Sequence, residues 1–191
     1  GRVVAGTRES GGGGRVWRLA GVGGRRDAWV INAAMSPEGP CGSRLGVFDN
    51  DLDVWYHVFQ VNFLAPVMLA RGLVEELKAG QGSVVNVTSI AGDRVHPFAG
   101  SAYATSKAAL ASLTREMASE FGPLGVRVNA IAPGEIDTAI LSPGTDKIVA
   151  EIPMRRLGTP EEVARTIYFL CTDQSSYVNG AEIQINGGQH V

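Results

Sequence analysis

The chain has 191 residues, 45% hydrophobic and 19% charged, with a formal net charge of −2. These values describe one ordinary globular domain with enough chain to bury a core, and they supply no electrostatic attraction toward nucleic acid or an anionic membrane. Cys41 and Cys171 and the scattered His57, His96 and His190 form no metal-ligand spacing, so no metal site is expected. No continuous apolar run reaches the 18 or more residues of a bilayer span. The first residues lack the charged-then-apolar layout of a signal peptide. Two isolated cysteines suit a reducing compartment, and the expected location is the cytoplasm.

Residues 1–26 are atypical, with nine glycines and six arginines. Their composition buries little surface, and part of the segment is expected to be disordered or a remnant. From Asp27 the pattern changes. Ala28–Ile31 (AWVI) is a continuous apolar run, as in a strand buried on both faces. Ser36–Leu45 reads as a loop. Residues 51–79 follow a helical apolar period, with Pro66 placed to remove the backbone donor for the Asn62 carbonyl; a kink or irregular turn at Asn62 follows. Ser83–Thr88 is a second buried strand and Tyr103–Phe121 a helix with a stripe of small residues, Ala104, Ala108, Ala111 and Ser112. Val126–Ile131 is a third strand, broken by Pro133-Gly134. Residues 137–152 form a weaker helical segment interrupted by Ser142-Pro143-Gly144, the pattern of a mobile lid. Thr159-Pro160-Glu161-Glu162 is a helix start with an N-cap, a proline at the first helical position and a capping glutamate. Ala181–Ile185 is the last strand. The alternation predicts an α/β fold: a Rossmann-like, doubly wound parallel sheet in a single domain, 1–191, with its N-terminal part incomplete. Ligands of such sheets bind at the carboxyl ends of the strands, where Asn32, Ser89 and Pro133-Gly134 fall.

Tyr103 and Lys107 stand at i and i+4 on one helix face, fourteen and eighteen residues after Ser89. A nearby ammonium favours a phenolate and is expected to lower the phenol pKa, so that Tyr103 serves as general acid or base near neutral pH, with Ser89 on the same substrate oxygen. Taken alone, a Tyr-x-x-x-Lys pair is mostly a core tyrosine beside a solvated lysine, and Pro-Gly after a strand is mostly a turn. Their order and their positions at strand ends carry the argument.

With these motifs in register, the stretch from Asp27 to the C-terminus resembles the short-chain dehydrogenases/reductases, in the oxoacyl-carrier-protein-reductase-like branch. DAWVINAAM matches the family's strand-four motif with two departures, Ile31 for the first asparagine and Ala34 for the glycine. The resemblance implies Asn62, Ser89, Tyr103 and Lys107 as catalytic residues, with the Asn62 backbone holding a relay water and Lys107 binding the nicotinamide ribose. It implies cofactor contacts at Asn32, Ala33, Ala34, Tyr103, Lys107, Pro133, Gly134, Ile136 and Thr138. The family's N-terminal Thr-Gly-x-x-x-Gly-x-Gly turn is missing from this sequence, and the segment before Asn32 is too short for the strands and helices that belong there. Gly1–Arg8 and Val16–Leu19 resemble remnants of the second and third strands. Arg8 would then meet the adenosine ribose and favour NADP over NAD, a solvated loop arginine being an equal alternative. The expectation is that the physical chain contains a Gly-rich strand-turn-helix not seen here. The implied activity is NAD(P)-dependent interconversion of a carbonyl and a secondary alcohol by a small-molecule oxidoreductase, a homotetramer by resemblance. The alternative is a non-catalytic assembly or regulatory partner.

Overall fold

The computed structural model describes residues 28–49, 51–138 and 145–191. The remnant strands of residues 1–26, Arg8 and the core of the expected lid lie outside them. Four strands, β1 (Ala28–Ile31), β2 (Ser83–Val87), β3 (Arg127–Pro133) and β4 (Glu182–Ile185), form one parallel sheet in that order. β1 and β2 are buried at every position, which is why their sequences are apolar runs rather than alternations. β3 runs two residues beyond the expected Ile131. Proline is tolerated at its end, where Pro133 still pairs with Ile185 and the next N–H, that of Gly134, donates to the Ile185 carbonyl.

Between β1 and β2 the chain forms α1 (Leu52–Phe59), a π-helical turn over Gln60–Leu64, and α2 (Ala65–Gly80). The irregularity expected at Asn62 is this π-turn, forced where Pro66 offers no N–H to the Asn62 carbonyl. Leu52–Gly80 contains an 18-residue window of mean hydropathy 1.3, long and apolar enough by composition to cross a membrane. Here it lies along the sheet: one face buries Val58, Ala70 and Leu77, and a second leaves Leu52, Tyr56, Leu64 and Met68 exposed. Two apolar faces on one helical stretch raise its mean hydropathy.

α3 (Ser101–Phe121) follows β2, α4 (Thr145–Val149) and α5 (Pro160–Leu170) follow β3. Thr159 caps α5 with the full reciprocal box: its hydroxyl accepts from the Glu162 N–H and the Glu162 carboxylate accepts from the Thr159 N–H. Alternate strand residues face opposite layers. Trp29, Ile31, Val84 and Val128 pack with Ala70, Leu77, Met117 and Phe121 of α2 and α3. Val30, Val85, Val87 and Ile131 pack with Leu170, Val163 and Ile167 of α5. Helices therefore cover both faces. Because the strands step in one direction while α5 lies on the other side, the β3–α5–β4 crossover has the opposite hand to the two before it, against the strong preference for one hand. The long connection from Gly134 to Thr159 makes this possible, and it leaves β3 from the carboxyl edge of the sheet.

Candidate active site

Three strand ends and one helix build the site. Ser89 follows β2 and caps a short 3-10 turn, its hydroxyl accepting from the Ala91 N–H at 3.2 Å. The turn rests on α3. A side chain at Gly92 would lie 2.8 Å from the Ala108 nitrogen and 3.0 Å from the Lys107 carbonyl carbon, so only glycine permits this approach. That contact seats Ser89 beside Tyr103, close enough for its hydroxyl to act on the phenol. Lys107, one turn on, is 2% exposed. Its Nζ donates to the Val87 carbonyl at 2.7 Å and lies 5.7 Å from the Tyr103 ring centroid.

The electrostatics differ from the sequence expectation. The Tyr103 phenol is raised above its ordinary pKa, first by burial, against which the neighbouring Ser89 hydroxyl lowers it, while the Glu135 carboxylate raises it further. Lys107 is lowered to about 8 by burial. The proximity expected from i, i+4 spacing is present, but burial is the largest influence on the phenol.

Asn62 sits in the π-turn, 1% exposed. Its Oδ1 accepts from the Met35 N–H at 2.7 Å, and its Nδ2 donates to the Met35 carbonyl and to the Ser106 hydroxyl, each at 2.9 Å. Ser106 in turn donates to the Tyr103 carbonyl at 2.7 Å. The asparagine side chain thus ties the loop after β1 to the helix bearing Tyr103 and Lys107. Asn32, Ala33 and Ala34 emerge from β1 with exposed side chains. Pro133-Gly134 leaves β3, and a side chain at Gly134 would meet the Asn186 Cβ at 2.5 Å; the turn is pinned against the C-terminal Asn186-Gly187-Gly188. Ile136 bridges to Gly158, holding the segment that ends at exposed Thr138. Asn62, Ser89, Tyr103 and Lys107 come together around α3, while Asn32–Ala34 and Pro133–Thr138 stand at the neighbouring strand ends on either side.

One pair escaped the sequence reading. His96, in the loop between Ser89 and α3, and Glu135, after β3, approach to 2.8 Å with side chains only 9% and 16% exposed. Thirty-nine residues separate them, and nothing in either local pattern marks them.

A family model described as enoyl-(acyl carrier protein) reductase matches residues 16–190. The chain belongs to the short-chain dehydrogenase/reductase family. It is 61% identical over 175 residues to Protein FixR of Bradyrhizobium diazoefficiens, covering 91% of this chain and 62% of that protein. It is 38% identical over 169 residues to mouse dehydrogenase/reductase SDR family member 4, covering 85% and 58%. Among solved structures, a Brucella ovis oxidoreductase of the family, crystallised with a partially ordered NAD, has 62% identity and a TM-score of 0.73 over 86% of this chain and 67% of its own. A 3-oxoacyl-[acyl-carrier protein] reductase from Brucella melitensis has 35% identity and a TM-score of 0.81 over 86% and 63%. The chain spans about three fifths of the length of the curated relatives it matches, and the Rossmann-like architecture of this family member is that of its solved neighbours.

Proposed function

We propose that this chain carries the catalytic half of an NAD(P)-dependent oxidoreductase that interconverts a carbonyl and a secondary alcohol. The observation that carries the reading is the seating of the Ser89 turn on α3 through Gly92, beside Tyr103 and a buried Lys107 whose Nζ donates to the Val87 carbonyl, at the carboxyl edge of a parallel sheet. Tyr103 gives a proton to the substrate oxygen in reduction and takes it in oxidation, and Ser89 holds that oxygen. A nicotinamide dinucleotide, when bound, supplies the hydride. The residues present fit its nicotinamide-ribose end. Among the described residues the Val87 carbonyl takes one of the three Lys107 N–H donors, and the others suit ribose hydroxyls. Asn32–Ala34 and Pro133–Thr138 offer walls on either side, with Ile136 and Thr138 toward the carboxamide. Asn62 positions α3 and supports a proton relay through its backbone. Arg8 favours NADP. Solved neighbours hold NAD or NADH.

The exposed apolar residues Leu52, Tyr56, Leu64 and Met68, and the outward Ala108 and Ser112 of α3, support a homo-oligomer, a tetramer by family resemblance. Both cysteines are free thiols, in keeping with the cytoplasm.

Titrating the purified chain with NADH and with NADPH, followed by nicotinamide fluorescence, tests the reading. Saturable binding is expected, tighter for NADPH. Binding of neither overturns it and leaves the non-catalytic partner, and tighter NADH binding overturns the part played by Arg8. Light scattering on the same sample reads the oligomer; a monomer would remove the tetramer.

A further inference from the structure

Tyr103 lies between two opposite charges, of which only Lys107 has a part in the proposed reaction. Lys107 approaches from one turn along α3, its Nζ 5.7 Å from the ring centroid, and a cation there favours the phenolate. The Glu135 carboxylate acts on the ring from the segment after β3 and favours the phenol. That carboxylate is held from both ends. On the backbone side, the Glu135 carbonyl accepts from the Gly158 N–H at 2.9 Å, and the Gly158 carbonyl accepts from the Asp137 N–H at 2.8 Å. On the side-chain side, the carboxylate is in contact with His96 Nε2 at 2.8 Å. The two side chains are 9% and 16% exposed, so little water screens the charge from the ring. His96 is set by its own loop. Its Nδ1 accepts a long hydrogen bond, 3.4 Å, from the Phe98 N–H, and its ring packs edge-on against Phe98. In the neutral ring this leaves the proton on Nε2, the nitrogen that meets the carboxylate. The other charged groups nearby are engaged elsewhere: Arg94 with the Gln189 carbonyl, and Glu182 with the Thr88 hydroxyl at 2.5 Å.

We infer that His96 and Glu135 form a positioning unit for Tyr103: the imidazole pins the carboxylate beside the start of α3, and the fixed negative charge keeps the reacting oxygen supplied with its proton. The inference deepens the oxidoreductase reading and rests on it for the reaction that is served. Both residues act through Tyr103 rather than on substrate. Their charge opposes that of Lys107, and the balance bears on direction, because the phenol is the proton donor of carbonyl reduction and the phenolate the acceptor of alcohol oxidation. His96 contributes through Glu135. Without the imidazole, the glutamate side chain is free to turn toward water, where the same charge acts on the ring through a higher dielectric and over a longer distance.

The test reads the ionisation of Tyr103 directly and needs no turnover. The full chain is labelled with 3-fluorotyrosine, whose fluorine makes the phenol more acidic and brings its ionisation closer to neutral pH. The fluorine resonance of Tyr103 is assigned from Tyr103→Phe and followed from neutral pH upward, with circular dichroism at each pH to show that the fold is kept. Glu135→Gln is expected to move the Tyr103 midpoint to lower pH by about half a unit or more. His96→Leu is expected to move it in the same direction. The double variant is expected to go no further than Glu135→Gln alone, because His96 has nothing left to pin. His96→Gln, whose amide can present an N–H to the carboxylate, is expected to keep part of the wild-type value. A midpoint that Glu135→Gln leaves in place overturns the proposal, as does a His96→Leu midpoint that stays or rises, or a double variant that adds the two single shifts. Should His96→Leu fail to fold, His96→Asn, too short to reach the carboxylate, takes its place in the comparison. Failure of NADH and NADPH to bind the unlabelled chain overturns the oxidoreductase reading instead and leaves the phenol midpoints as measured, so the two failures are separable.

Discussion

Tyr103→Phe is expected to lower kcat for carbonyl reduction by about 10²- to 10⁴-fold, the usual contribution of a positioned general acid, while leaving nicotinamide cofactor affinity nearly unchanged. The substitution removes one oxygen from a ring that stays in place, since α3 is held by Gly92, Ser106 and Asn62 rather than by the phenol. The pH dependence carries a sign. Burial and Glu135 raise the phenol pKa, so the protonated form persists across neutral pH and carbonyl reduction is supplied with its proton there. Alcohol oxidation needs the phenolate and is expected to accelerate as pH rises. Steady-state rates in both directions, across pH, for wild type and Tyr103→Phe check this. A variant that keeps its rate, or keeps the alkaline rise in oxidation, would remove Tyr103 from the role.

Lys107→Met is expected to lose activity and yet change the stability curve in the protein's favour at neutral pH. The ammonium is buried, and its pKa falls from 10.5 to about 8 by desolvation. A lysine whose pKa is lower in the folded state penalises folding. The penalty is complete below the folded value, where both states are protonated, and is relieved as pH climbs from about 8 to 10.5, where the unfolded chain holds the proton and the folded chain does not. At 1.36 kcal/mol per pH unit the relief is about 3 kcal/mol. The stability of wild type relative to Lys107→Met is therefore expected to rise by about that amount between pH 7.5 and pH 10.5. Part of the variant's gain at neutral pH is offset by the Val87 carbonyl left without its donor. Urea unfolding of both proteins at the two pH values measures the difference. A pH-independent gap would mean that Lys107 is solvated in the folded chain.

The sheet was legible because its strands are buried on both faces, which forces apolar runs such as AWVI and SVVNV that few other structures need. The π-turn was legible because Pro66 removes a single named hydrogen bond. The α5 start was legible from four residues, because the capping box is a local contract between Thr159 and Glu162. Three features were not. The direction of the Tyr103 shift depends on how deeply α3 is buried, and i, i+4 spacing reports proximity without depth. The face taken by α5 is invisible because amphipathic periodicity identifies an apolar stripe and not the side of the sheet it will find. The pairing of His96 with Glu135 follows from tertiary placement of two loops, each of which is ordinary by itself. The side-chain role of Asn62 also exceeded expectation: the resemblance pointed to its backbone, and the structure gives its amide the task of bracing Met35 and Ser106.

The π-turn over Gln60–Leu64 amounts to one residue held in reserve within a continuous helix. Deleting a single residue there would not restore a fully bonded α-helix, because Pro66 would still withhold its N–H from the carbonyl four residues before it. The wider turn is what holds the Asn62 amide against Met35 and Ser106, and its loss would withdraw that brace. Insertions and deletions in helices are ordinarily judged by whether the helix survives. In this chain the measure is whether the Asn62 brace on Met35 and Ser106 survives.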